Sequence, residues 1–116
     1  MNNYTIYCSK EQTKRAYKLG APIEEVCTCE SPHEYYVREG LFIVAPTAEQ
    51  MRGWLRSKGL HIQMMIYGWS SFRAELFKID SYNDAERIGE AINSYEKSLL
   101  AMIDVALDVL EEGGNK

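Results

Sequence analysis

The chain has 116 residues, 46% hydrophobic and 26% charged, the globular average, so disorder is not the default and one ordinary core can form without disulfide or metal staples. No stretch approaches the roughly 20 apolar residues of a membrane span, and Met1-Asn2-Asn3-Tyr4 lacks the charged and apolar regions of a signal peptide, so a cytoplasmic protein is expected. The net charge of −4 divides into +1 over residues 1–58 and −5 over residues 59–116, the wrong sign for nonspecific nucleic-acid binding and suited to a basic protein partner.

Residues 3–8 are β-prone and read as a short strand or an extended lead-in. Ser9-Lys10-Glu11-Gln12 has the form of a capping box and opens a helix over 9–20. Gly20 is its natural stop and Pro22 forbids continuation. Lys10, Lys14 and Lys18 fall on one face, read as a solvated stripe, with a phosphate-binding edge as the alternative. Residues 21–34 carry two prolines and four glutamates and read as the longest loop.

Tyr35-Tyr36-Val37 and Leu41-Phe42-Ile43-Val44 flank Arg38-Glu39-Gly40, the pattern of a hairpin over 35–44 with a glycine turn. Pro46 ends it. Thr47 and Gln50 then start a helix over 47–58 whose apolar stripe is Met51, Trp54 and Leu55, with Gly59 as the stop. His61 to Tyr67 and residues 72–79 both alternate, predicting a second hairpin over 61–79 around Gly68-Trp69-Ser70-Ser71. Ala85–Ala91 reads as a single helical turn. The last helix, 94–112, places Tyr95, Leu99, Met102, Ile103, Ala106, Leu107 and Leu110 on one side. Asp104, Asp108 and Glu112 then fall on the wet side. The order helix–hairpin–helix–hairpin–helix predicts one α+β domain over 1–116, with helices packed on an antiparallel sheet of about four strands.

No catalytic constellation accompanies these elements. Cys27, Cys29 and His33 set two thiols and an imidazole within seven residues, and Cys8 could supply a fourth zinc ligand. Cys-x-Cys is tighter than the usual ligand spacing, so these thiols read first as reduced residues anchoring a loop, and no cofactor is implied. His61 has no nucleophile at a useful spacing and reads as a rim residue. No phosphate-cradling glycine loop of the GxxxxGK[ST] form occurs. Arg52, Arg56 and Lys58 share the polar side of the 47–58 helix. Trp69, in a turn, either folds back over the sheet or marks a partner surface.

Pro46-Thr47, Trp54-Leu55-Arg56, His61-Ile62, Gly68-Trp69, Ser94-Tyr95-Glu96 and Ala106-Leu107, in that order, resemble a set of short prophage and mobile-element reading frames. The likeness runs from about Ser9 to Glu111 and rests on caps and core positions. The chain departs from that pattern in being short between residues 62–67 and 72–79. The resemblance implies a cytoplasmic accessory protein of phage type and carries no assigned reaction.

Three functional expectations follow, none of them enzymatic. The first is a module that binds another protein through Trp69. The second is a small oligomer that holds a nucleotide or another anion at Arg52, Arg56 and Lys58 with Tyr35 and Tyr36. The third, single-stranded nucleic-acid binding, is the weakest, because the cations are few and Trp54 is needed by the core.

Overall fold

A computed structural model describes residues 5–79 and 84–113. Three helices and six strands follow one another as α1 (Lys10–Lys18), β1 (Glu25–Val26), β2 (Glu34–Arg38), β3 (Leu41–Val44), α2 (Ala48–Ser57), β4 (Leu60–Ile66), β5 (Phe72–Ile79), β6 (Ala85–Asn93) and α3 (Tyr95–Gly113). The α+β class holds, but the strands form two antiparallel sheets of three, β1-β3-β2 and β4-β5-β6, in place of one sheet of about four. Two strands account for the difference. β1 lies inside the segment read as a loop, pairing Glu25 with Ile43 and Val26 with Phe42.

β6 occupies the stretch read as a helical turn and pairs with β5 along its length. Its Ala, Glu and Arg residues favour a helix in isolation, and the hydrogen bonds of the β5 edge override that preference. A bulge at Ile88, where the register shifts between Leu76 and Phe77, breaks the alternation that would have betrayed a strand. Gly89 sits where β6 comes nearest α3. A Cβ there would stand 3.4 Å from the Met102 sulfur and 3.5 Å from Val105 Cγ1.

The capping box read at Ser9 is present, and Thr47 and Gln50, read as the start of α2, form a second. The Ser9 hydroxyl accepts from Gln12 N while Gln12 Oε1 accepts from Ser9 N, and Thr47 and Gln50 do the same for α2. Gly59 ends α2 at φ +83°, a conformation that disfavours any side chain, and a Cβ there would lie 3.2 Å from the Ile79 carbonyl oxygen. Its own carbonyl accepts from Ile79 N at 2.8 Å, so the helix stop is stitched to the far end of β5. The lead-in is held by a bridge between Tyr7 and Thr47 and by Cys8 N donating to the Pro46 carbonyl; residues 3 and 4 of that reading lie outside the described residues.

The core lies between the β4-β5-β6 sheet and the helices. Leu60, Ile62, Ala74 and Leu76 from the sheet meet Met51 and Leu55 from α2 and Leu99, Met102, Ile103, Ala106 and Leu107 from α3. The other face of this sheet carries charge. Glu75 is only 7% exposed there, because Arg87 reaches it at 2.8 Å and Arg73 at 3.5 Å, and both arginines also contact Glu90. Mutual pairing lets this carboxylate lose water without a charge left alone.

α1 is attached to α3 mainly by polar groups. Buried Gln12 donates from Nε2 to the Leu100 carbonyl at 2.8 Å and to Asp104 Oδ1 at 2.9 Å. Arg15 grips both Glu111 oxygens, at 2.8 and 2.9 Å, and also pairs with Asp108. Asp104 and Asp108, read as the wet side of the last helix, are therefore partners for α1.

The guanidinium holds the Glu111 carboxyl below its ordinary 4.5 through their hydrogen bond, against a smaller opposing effect of burial. A depressed carboxylate stabilises the fold above its ordinary range, and that contribution disappears as pH falls through the folded-state value. Arg15→Gln should lower the denaturant midpoint at neutral pH by the small amount expected of partly exposed pairs. The gap between wild type and variant should narrow as denaturant unfolding is repeated at pH values falling below the ordinary carboxylate range.

Candidate functional site

The β4–β5 turn projects the least protected apolar side chains of the described residues. Trp69 is 106% exposed, Ile66 78% and Tyr67 57%, and Ile92 of β6 is 43% exposed. Trp69 therefore does not fold back over the sheet. The turn is closed by Tyr67 N donating to the Ser71 carbonyl at 3.0 Å. At its base Ile66 pairs with Phe72, and the Phe72 ring meets Tyr95 of α3 edge-on at 5.1 Å. The prong is thus rooted in the core while its tip is bare.

Residues 63–72 (Gln-Met-Met-Ile-Tyr-Gly-Trp-Ser-Ser-Phe) carry no charge, in a chain where charged residues make up 26%. That uncharged window was a legible signal for Ile66 and Tyr67 as companions of Trp69. Ile92 stands opposite Arg73 on the charged face of the sheet, the face away from Ile66, and is separate from the prong.

Arg52 and Arg56 come together at a second place. With Glu49 and Gly53 from α2 and His61 from β4 they line a shallow concavity of about 250 Å³. Arg52 is held from two sides: Nη1 donates to Glu49 Oε2 at 3.0 Å and Nη2 to the Ile62 carbonyl at 2.7 Å. Glu49, Arg52, Gly53 and Arg56 follow the i, i+3, i+4, i+7 spacing of one helix face, so the α2 part of this set was open to reading. The His61 imidazole is held below its ordinary 6.5, first by partial burial and then by Arg56 and Arg52. Among the described residues no Ser, Thr or Cys lines the concavity. Lys58, expected beside the arginines, instead places Nζ over the Trp54 ring at 5.8 Å.

Tyr35 and Tyr36 lie elsewhere, on β2. Tyr36 packs edge-on against Phe42 at 5.8 Å and lines a separate depression with Lys14, Tyr17 and Lys18. The expected grouping of these tyrosines with the arginines is not what the fold builds.

The thiols are also dispersed in environment. Cys8 is 1% exposed, with its thiol pushed up to about 12 by burial first and by Asp104 second. Cys27 and Cys29 are exposed, Cys29 lying 3.6 and 3.7 Å from the Ser31 and Glu34 carbonyls. His33 stacks on Tyr7 with ring centroids 3.9 Å apart. Among the described residues no three His, Cys, Asp or Glu side chains are placed to hold a metal ion.

A thiol-specific disulfide reagent at mildly alkaline pH should therefore titrate Cys27 and Cys29 rapidly. Cys8 should follow only at the rate of unfolding, because a protonated buried thiol is not a nucleophile. Three fast thiols would contradict this packing.

No helix among the described residues is long and apolar enough to cross a membrane. No family model, curated protein or solved structure matches the chain.

Proposed function

We propose that the chain is a protein-binding module whose contact element is the uncharged prong Ile66–Trp69. The observation that carries this reading is the complete exposure of Trp69 on a turn anchored through Phe72 and Tyr95. Tryptophan and tyrosine at the centre of a small apolar patch are the usual energetic anchors of protein interfaces. A lone exposed apolar residue needs no partner, but three along one short run, Ile66, Tyr67 and Trp69, favour an interaction surface.

The partner this surface fits presents an apolar slot for an indole, rimmed by basic residues that answer the −5 of residues 59–116. An accessory role in a phage or mobile element, the role the sequence resemblance implies, suits such a docking protein. A photo-crosslinking residue at exposed position 70, beside an intact Trp69, should give one dominant protein adduct in a bacterial lysate, lost when excess unlabelled wild type is added. The same label at exposed Glu112 should give none. An adduct pattern indifferent to label position, or dominated by the chain itself, overturns the proposal.

A further inference from the structure

We infer that the concavity between α2 and the start of β4 is a binding site for a phosphate-type oxyanion, held by Arg56, Arg52 and His61. This inference is independent of the prong. Three nitrogen-bearing side chains line one depression of about 250 Å³. Arg52 is pre-set by its bonds to Glu49 and to the Ile62 carbonyl, so little side-chain freedom remains to be lost on binding. Arg56, in the last turn of α2, is exposed, and its guanidinium makes no hydrogen bond or ion pair among the described residues. A free guanidinium beside a fixed one is a geometry suited to an oxyanion with several acceptor oxygens.

Gly53 is the second observation. It interrupts the middle of α2, where glycine is among the poorest helix formers. The fold gives no reason for it: a Cβ at this position would meet no atom within 4 Å. Gly53 lines the depression on the same helix face as Arg52 and Arg56. There the missing side chain lets a ligand approach the helix backbone closely. Glu49 is the one opposing group, and its charge is answered by Arg52 at 3.0 Å. Lys58, Tyr35 and Tyr36 take no part.

The chain has only two histidines, so its imidazole NMR signals provide both reporter and control. Inorganic phosphate titrated at constant ionic strength and about pH 7.5, where the ordinary imidazole is mostly neutral, should move the His61 signals saturably. The stacked His33 signals should stay in place. Arg56→Gln should weaken binding by about tenfold or more, the scale of a charge-assisted contact. Glu49→Gln should strengthen it several-fold by removing the competing carboxylate.

Gly53→Ala separates binding from folding: it should raise Tm by roughly 3–6 °C through helix propensity while weakening phosphate binding. Acetate at equal ionic strength tests the oxyanion class, and it should shift His61 far less than phosphate. An equal acetate response, parallel linear shifts of both histidines, or undiminished binding by Arg56→Gln overturns the assignment.

Discussion

Ile103→Ala should lower the free energy of unfolding by about 3–4 kcal/mol, the scale of a large-to-small change at a fully enclosed site. Ile103 has no exposed surface and lies midway along the helix that packs against β4, β5, β6, α1 and α2 alike. The cavity it leaves has few ways to collapse, since Leu99, Met102, Ala106 and Leu107 around it are themselves buried. For a domain whose total stability is about 5–15 kcal/mol, this is a large fraction. The check is a denaturant melt in which the midpoint falls and the slope is unchanged. A cost below about 1 kcal/mol would mean that α3 is not the central packing element.

Ile43→Ala supplies the contrast. Ile43 is equally enclosed but lies in the β1-β3-β2 sheet, outside the main cluster. Its loss should reduce hydrogen-exchange protection in that sheet ahead of the β4-β5-β6 unit.

What the sequence disclosed and what it concealed divide along the line between local and distant interactions. The helix starts at Ser9 and Thr47, the Gly59 stop and the apolar side of α3 depend on residues within a turn or two of one another, and each is where the pattern put it. β6 depends on a partner: Ala85–Asn93 pairs with β5, and its composition alone argued for a helix. The division into two sheets is equally non-local, because α2 separates β3 from β4 and nothing in either strand's pattern says whether they pair. Burial of Gln12 and Glu75 was hidden for the same reason. Each polar group is covered by partners more than ten residues away, Leu100 and Asp104 for one and Arg87 for the other.

The candidate surfaces follow the same rule. Trp69 was conspicuous because a turn tryptophan is unusual in itself. Arg52 and Arg56 were conspicuous as neighbours on a helix. His61 joins them only because α2 and β4 fold back on each other, and Gly53 gains meaning only once the space above it is seen to be open. Tyr35 and Tyr36 drew notice as a pair, yet alternation along β2 sends adjacent side chains to opposite faces.

Trp69→Ala should reduce affinity for the docking partner by at least about thirtyfold, which is roughly 2 kcal/mol, the threshold of an interface anchor. Its effect on stability should stay within about 0.5 kcal/mol, since the side chain touches no core atom in the free protein. That pairing of a large binding loss with an intact fold is what distinguishes a contact residue from a structural one. Ile66→Ala and Tyr67→Ala, less exposed and nearer the root of the prong, should each cost about 1 kcal/mol or less in binding. The chain has two tryptophans, so Trp54→Phe leaves Trp69 as a sole fluorophore, emitting as a fully hydrated indole when free. Partner binding should shift that emission to the blue. Added salt should slow association more than it speeds dissociation, because the acidic half of the chain steers the encounter while the indole holds the complex. Concentrating the protein alone, or adding lipid vesicles, should leave the emission unchanged. A blue shift in either case would identify the occupant of the prong as a second copy of the chain or a bilayer surface, and would overturn the assignment of a separate protein partner.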